Sequence, residues 1–172
     1  AAIAEEAKAI GVDWVLAPVC DLNSNPENPV INIRSFGDNS EIVEQHSQAF
    51  IKGLRSKKVL SSIKHFPGHG NTQTDSHEAL PCLNMSREEL QNEIRPFAKA
   101  IELGADSVML GHLLVPSIDK TMPASLSEEF VKILREDLKY HGIIVTDGLD
   151  MKAIVDNYSA EETALSALRA GA

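Results

Sequence analysis

The segment Lys64–Pro81, with the sequence KHFPGHGNTQTDSHEALP, holds the residues of this chain that are best suited to chemistry. It contains three of the six histidines, a lysine and an aspartate, namely His65, His69, His77, Lys64 and Asp75. Apolar residues are sparse in it, so packing in a core does not explain its composition. Imidazole and carboxylate groups this close together can serve general acid–base catalysis or bind a metal ion.

The elements around this segment predict where it lies. Four short aliphatic runs have the composition of buried β-strands and alternate with helical patterns: Trp14–Val19, Val59–His65, Asp106–Leu113 and Gly142–Thr146. This order is typical of parallel βαβ units, and it fits both an open doubly wound sheet and a (β/α)8 barrel. The histidine-rich segment begins where the second run ends, which is where α/β enzymes carry their chemistry.

Polar residues at the strand ends decide between the two folds. Asp21, Lys64 with His65, His112 and Asp147 all follow the carboxyl ends of predicted strands. A barrel collects functional groups from several strand ends at one face, whereas an open sheet uses mainly one crevice. No Gly-x-Gly-x-x-Gly turn follows any strand, which excludes a dinucleotide site of that type. The prediction is an α/β chain that forms about four βα units of a (β/α)8 TIM-type barrel.

The helices carry local signals for their ends. Ser86 with Glu89 and Ser159 with Glu162 have capping-box spacing. Pro96 predicts a break, with a second helix from near Pro96 to Gly104. The apolar face of the helix after Asp38–Ser40 is expected at Ile42, His46, Ala49, Phe50 and Leu54. A further helix is expected to start at Ser127 and stop at Gly142.

Length and composition set wider limits. The chain has 172 residues, the size of one domain, and a net charge of −9, which argues against a nucleic-acid-binding face. Cys20 and Cys82 are expected to be buried free thiols, and no apolar run is long enough to span a membrane. The chain starts without methionine inside a helical pattern and ends just past a helix, so we expect an internal piece of a longer protein. Its cellular location is not determined by the sequence; the cytoplasm is favoured, with the periplasm or the exterior as alternatives.

Two segments, IKHFPGHGNTQTDSHEALP and GIIVTDGLDMKAI, resemble the signature segments of glycoside hydrolase family 3, specifically its bacterial β-N-acetylglucosaminidase branch. The segments LAPVCDLNSNPENPVINIRSFGDN and MPASLS fit the same resemblance, which covers essentially the whole chain. It implies a (β/α)8 barrel, of which residues 1–172 form a part that is truncated at both ends. The family's upstream motif of an acid, paired glycines and an arginine is absent, so the rest of the barrel is expected to be required.

The resemblance also implies roles for individual residues. Asp147 matches the nucleophile, and His77 matches the acid/base histidine, with Asp75 as its paired carboxylate. The residues that match sugar ligands are Arg34, Lys64 and His65. Three more are possible pocket residues: His69, which we expect mainly to shape its loop, His112, which could line the pocket or make a structural hydrogen bond, and Met151. Asp21 is expected to organise its own loop.

The implied activity is hydrolysis of terminal β-linked N-acetylglucosamine with retention of configuration and without a cofactor. A substrate-assisted route usually needs two adjacent acids, but Asp147 and Asp150 are separated by two residues, which favours double displacement. Transfer to phosphate, another β-glycosidase specificity and a non-catalytic sugar-binding module are alternatives. A metal site formed by His65, His69, Asp75 and His77 is a further one. The aglycone could be a muropeptide in peptidoglycan turnover, a chitin fragment or a glycoconjugate.

Overall fold

A computed structural model describes residues 1–172 and shows one parallel four-stranded sheet. The strands are β1 (Trp14–Val15), β2 (Leu60–Phe66), β3 (Ser107–Leu110) and β4 (Ile143–Thr146). They lie side by side in chain order, β1-β2-β3-β4, and each neighbouring pair is parallel. A doubly wound sheet reverses its strand order at a switch point, whereas a barrel does not. The order therefore supports the barrel prediction, and all four predicted strands are present.

Six helices connect and cover the strands: α1 (Ala2–Ala9), α2 (Ser40–Arg55), α3 (Arg87–Glu102), α4 (Glu128–Lys132), α5 (Lys152–Val155) and α6 (Ala160–Ala170). Helix α4 continues as a π-helical turn over Ile133–Asp137, and short 3-10 turns occupy Asn32–Arg34 and Ala124–Leu126. Both predicted capping boxes are confirmed, at Ser86 with Glu89 and at Ser159 with Glu162. None of the helices combines the length and the apolar character needed to cross a membrane.

The predicted break at Pro96 is wrong, because α3 runs without interruption from Arg87 to Glu102. Proline removes one backbone hydrogen bond and costs a helix interior about 3 kcal/mol. Three neighbours on the same helix, Ile94, Phe97 and Ala100, are buried in the main core. Burying a large apolar side chain contributes about 1.5–3 kcal/mol, so packing on both sides of Pro96 offsets the lost bond.

The predicted inward face of α2 is also wrong, except at Leu54 and at Phe50, which is partly buried against the same small cluster as Leu54. The buried residues are Val43, Ser47, Ile51 and Leu54, while Ile42 is 46% exposed. The buried face of α2 is shifted by one residue along the chain from the predicted one, and the small polar residue Ser47 belongs to it. The Cys20 thiol donates a hydrogen bond to the Ser47 hydroxyl at 3.4 Å, so this buried hydroxyl has a partner.

The helix predicted to stop at Gly142 ends earlier, because the π-helical turn finishes at Asp137 and Lys139 has a φ of 52°. Gly142 is needed for a different reason. A Cβ atom there would lie 2.2 Å from the hydroxyl of Tyr140, which packs over it. The position therefore requires glycine for close packing and not as a helix terminator.

The main core contains 22 buried residues, which lie between the sheet and the helices, and Cys20 is one of them. Both cysteines are free, but Cys82 is exposed, so the prediction of two buried thiols is right only for Cys20. Around Cys82 the chain alternates, with Pro81, Leu83 and Met85 buried and the residues between them exposed. This alternation of an extended segment turns Cys82 outward.

Candidate active site

Backbone hydrogen bonds also join the segments that follow the strands, so the carboxyl ends of the four strands lie side by side. Beyond β1, the Cys20 amide donates to the Lys64 carbonyl at 2.7 Å. Beyond β3 and β4, the Gly111 amide donates to the Phe66 carbonyl at 2.8 Å, and the Asp147 amide donates to the Leu110 carbonyl at 2.9 Å. The polar residues that follow these strands consequently meet at one edge of the sheet.

Asp21 is the buried centre of this edge, with no exposed surface. Its carboxylate accepts the His65 amide at 3.1 Å, the His65 Nδ1–H at 2.7 Å and the His69 amide at 2.7 Å. Burial alone would raise the pKa of Asp21, but the charge and hydrogen bonds of His65 and His69 hold it below its ordinary value. The expectation that Asp21 organises its own loop is therefore too narrow, because it fixes the loop after β2.

The opposite nitrogen of His65 faces the open side of the site. Its Nε2 lies 4.0 Å from the Asp147 carboxylate and 3.4 Å from Nη2 of Arg34. Because a carboxylate only accepts, Asp21 keeps the proton of the neutral ring on Nδ1. Nε2 is then free to accept from Arg34 or from the hydroxyl of a ligand. Three predicted residues, Arg34, His65 and Asp147, are therefore together.

Lys64 joins the same group although it is the chain neighbour of His65. Regular strands turn consecutive side chains to opposite faces, but the pairing of β2 with β3 is irregular between Ile63 and Phe66. Burial lowers the pKa of Lys64, and the Arg34 charge lowers it further, whereas the charges of Asp147 and Asp21 oppose the shift. Lys64 thus lies within range of the charges of Arg34 and Asp147, and the Asp147 side chain is 23% exposed.

Arg34 reaches the site from the 3-10 turn Asn32–Arg34, and the loop before that turn is held by Asn28. The buried Asn28 accepts from the amides of Val30 and Ile31 and donates to the carbonyl of His69 at 2.9 Å. An Asn-Pro pair such as Asn28 and Pro29 is by itself a common turn signal. The structure shows that Asn28 ties the arginine loop to the histidine loop.

Asp75 and His77 form a contact pair at the rim. The His77 ring lies with Nδ1 2.7 Å from the Asp75 carboxylate, which also accepts the His77 amide at 2.9 Å. Burial alone would raise the pKa of Asp75, but these bonds lower it below its ordinary value. The His77 side chain is 61% exposed, and no hydrogen bond joins the pair to His65 or Asp147. The structure therefore brings Asp75 and His77 together, without a direct hydrogen bond to His65 or Asp147.

His69 is enclosed by its own loop. Its ring nitrogens lie 2.8 Å from the Thr72 hydroxyl and 3.0 Å from the Ser76 hydroxyl, and burial lowers its pKa to about 4. Both nitrogens are thus engaged by hydroxyl groups. No group of three or more His, Cys, Asp or Glu side chains is arranged to hold a metal ion. The bonds to Thr72 and Ser76 leave neither ring nitrogen of His69 free to bind a metal ion.

His112 and Met151 lie beside the turn that follows Asp147. The buried His112 ring is 2.7 Å from the Ser125 hydroxyl and 2.8 Å from the Gly148 carbonyl, and burial lowers its pKa. The Met151 amide donates to the same carbonyl at 3.1 Å. Of the two alternatives for His112, these contacts favour the structural hydrogen bond, which fixes the turn after Asp147.

Comparison with known proteins gives consistent matches over the whole chain. The family described as "Glycosyl hydrolase family 3 N terminal domain" matches residues 1–172. The β-hexosaminidase A of Pseudoalteromonas piscicida is 36% identical over 99% of the chain, which covers 31% of that protein. A family 3 β-N-acetylglucosaminidase structure from Paenibacillus sp. str. FPU-7 is 42% identical with a TM-score of 0.97, over 99% of the chain and 33% of that protein.

A further similar structure is the β-glucoside phosphorylase BglX, which is 33% identical with a TM-score of 0.94, over 98% of the chain and 33% of that protein. The chain thus spans about a third of the length of each of these relatives. The fold prediction, about four βα units of a (β/α)8 barrel, is confirmed by these structural matches.

Proposed function

The chain belongs to glycoside hydrolase family 3, and from this membership we propose that it hydrolyses terminal β-linked N-acetylglucosamine with retention of configuration. The observation that carries the proposal is the position of His65 Nε2, which lies 4.0 Å from the Asp147 carboxylate and 3.4 Å from Arg34 at the strand ends, with Lys64 within range of both charges. A carboxylate among donors that can bind sugar hydroxyls suits a group that must attack an anomeric carbon.

Asp147 is the proposed nucleophile. Its Oδ1 accepts the Gly148 amide at 2.9 Å, which orients the carboxylate and leaves Oδ2 on the side of His65. In the first step, a carboxylate oxygen bonds to the anomeric carbon as the bond to the leaving oxygen breaks. In the second step, water displaces the carboxylate and gives the sugar with retained configuration.

His77 is the proposed acid and base. It protonates the leaving oxygen in the first step and takes a proton from water in the second. Asp75 holds Nδ1 of His77 at 2.7 Å, which leaves Nε2 for the transfer and stabilises the imidazolium. The His77 side chain is 61% exposed, so its Nε2 is accessible to the leaving group of a bound sugar.

The remaining pocket wall is proposed to come from barrel strands outside residues 1–172. Supporting this proposal, β1 and β4 each pair on one side only, and the similar proteins are about three times as long. The rest of the barrel is accordingly part of the working enzyme, and activity is tested on the whole protein with any sequence that flanks this chain.

Transfer to phosphate is a second candidate, favoured by the likeness to the β-glucoside phosphorylase. A histidine acid/base repels an incoming phosphate less than a carboxylate would, because its neutral form carries no charge. Phosphate would then displace Asp147 in the second step and yield the sugar 1-phosphate. Product analysis with and without phosphate distinguishes this outcome from hydrolysis.

The test uses Asp147→Ala and an aryl β-N-acetylglucosaminide. We expect the variant to lose turnover, and added azide, which can occupy the vacated carboxylate space and attack the sugar, to restore release of an activated aryl group. Asp150→Asn is the matched control, because Asp150 is an exposed acid three residues away. Near-normal turnover by Asp147→Ala would show that the nucleophile is another residue.

A further inference from the structure

Glu93, in the middle of α3, is a buried carboxyl group that the proposed mechanism does not use. It is 6% exposed. The Ser24 hydroxyl donates to its Oε1 at 3.1 Å, whereas Oε2 is buried without a hydrogen-bond partner. Buried carboxyl groups with so few partners are uncommon, because removing a polar group from water is costly unless hydrogen bonds replace those made to water.

The side chain of Glu93 packs directly against the loop that follows β2. A Cβ atom at Gly68 would lie 3.0 Å from Cβ of Glu93 and 3.2 Å from its Oε2. Gly68 has a φ of +135°, and its amide donates to the His65 carbonyl at 2.8 Å. The next residue, His69, donates its amide to Asp21. Glu93 therefore fills the space beneath the turn of residues 65–69, the Gly68 corner, which joins His65 to His69.

We propose that Glu93 is a positioning residue, which holds the Gly68 corner against Asp21 and thereby fixes His65 and the start of the loop that carries His77. The proposal rests on the glycosidase function proposed above. Glu93 acts through the loop and does not touch the sugar, because the loop backbone lies between them.

The surroundings favour the neutral acid. Burial raises the pKa of Glu93 to about 7, the nearby charge of Asp21 adds to the rise, and the Ser24 hydrogen bond opposes it. Around the carboxyl group, the titratable groups of the loops after β1 and β2 are Asp21, His65 and His69. The His65 ring is bound to Asp21, and the His69 ring is bound to the hydroxyl groups of Thr72 and Ser76. The nearest basic residue along α3, Arg95, pairs with Glu44 of α2, and no ion pair reaches Glu93.

Ionisation of Glu93 consequently places a second buried anion beside Asp21 without a new cation. We expect the Gly68 corner to loosen as the pH rises through about 7. Activity should then fall on the alkaline side even for a substrate that needs no acid catalysis. Glutamine keeps the shape of the neutral acid and cannot ionise, so Glu93→Gln should keep the corner closed.

The experiment compares the wild type with Glu93→Gln, Glu93→Ala and the control Glu88→Gln, an exposed acid on the same helix. In the whole protein, kcat/KM is measured across neutral and alkaline pH with a dinitrophenyl β-N-acetylglucosaminide, whose leaving group needs no proton. Hydrogen exchange of residues 65–72 is followed alongside. We expect Glu93→Gln to match the wild type below neutral pH and to retain activity where the wild type declines.

Glu93→Ala should lose at least about tenfold in kcat/KM, a difference of about 1.4 kcal/mol, with faster exchange in residues 65–72. The proposal is overturned if Glu93→Gln declines with pH as the wild type does, or if Glu93→Ala leaves both readouts unchanged. If Glu93→Ala does not fold, the pH profile of Glu93→Gln decides. A wild type inactive on the sugar would refute the proposed function instead, and exchange at residues 65–72 in alkaline and neutral buffer would still decide the role of Glu93.

Discussion

Replacement of Asp21 by asparagine probes the support of the site with almost no change in shape. The carboxylate has three donors around it, the amides of His65 and His69 and the His65 ring. Asparagine offers one acceptor oxygen and one NH2 group. If its oxygen keeps the His69 amide at 2.7 Å, its NH2 group meets the His65 Nδ1–H, and two donors oppose each other.

The ring must then move its proton to Nε2. That nitrogen faces Nη2 of Arg34 at 3.4 Å, so a second pair of donors would oppose each other on the open side of the site. A hydrogen bond to a charged group contributes about 1.5–3 kcal/mol, and we expect Asp21→Asn to lower the free energy of unfolding by this amount at neutral pH. If the same free energy holds the His65 ring in place in the transition state, its loss should lower kcat/KM about 10- to 150-fold.

The pH dependence of this loss has a definite sign. The pKa of Asp21 is lowered in the folded state, so its contribution to stability is present above the ordinary carboxyl pKa of about 3.9 and is lost as the pH falls through the lowered value. Asparagine has no such dependence. The wild type and Asp21→Asn should therefore differ most near neutral pH and approach each other in acid.

Chemical unfolding of the whole protein at neutral and acidic pH, together with kcat/KM on an aryl β-N-acetylglucosaminide, measures both effects. Asp156→Asn, a change at an exposed acid, is the control and should stay within about 0.5 kcal/mol of the wild type. The reasoning is refuted if Asp21→Asn is as stable and as active as that control. A loss of stability with unchanged kcat/KM would refute only the link between Asp21 and His65.

Three other changes have expected outcomes. Because the pKa of Glu93 is raised from 4.5 to about 7 in the folded state, wild-type stability should fall as the pH rises through this range, and Glu93→Gln should be more stable at alkaline pH by up to about 3 kcal/mol in chemical unfolding. His77→Ala should lower kcat/KM far more for substrates with poor leaving groups than for activated ones, and equal losses would contradict its role as acid. Gly70→Ala would place a Cβ atom 1.6 Å from the Leu22 carbonyl, so overpacking should destabilise the protein by about 1–3 kcal/mol in thermal unfolding, and an unchanged melting temperature would contradict this contact.

Local signals predicted much of the fold. The strands could be recognised because each is a short aliphatic run, and the capping boxes at Ser86 and Ser159 involve residues three apart in the chain. The meeting of His65 with Asp147 was also predictable, since parallel strands end at one edge of the sheet. These features depend on residues close together in the chain or on the direction of the strands, and both can be read from the sequence.

The buried polar residues could not be recognised in the same way. Ser47, Asn28 and Glu93 have side chains that hydrophobic patterns assign to the surface, and each is buried against a partner far away in the chain. Pro96 shows the opposite error, because its helix-breaking tendency is outweighed by tertiary packing on both sides. The importance of Asp21 could have been predicted, because Asp21 follows the carboxyl end of a predicted strand just as Asp147 does.

Asp21 and Asp147 show how the chain separates stability from chemistry. Both follow strand ends, but Asp21 is fully buried and satisfied by donors from His65 and His69, whereas Asp147 is partly exposed and accepts only the Gly148 amide. Removing the first charge breaks bonds that hold the loop, so it must affect folding and the site together. The Asp147 carboxylate accepts a single hydrogen bond, so removing its charge should affect the reaction far more than folding. The unfilled hydrogen-bonding capacity of Asp147 is what leaves it available to a substrate.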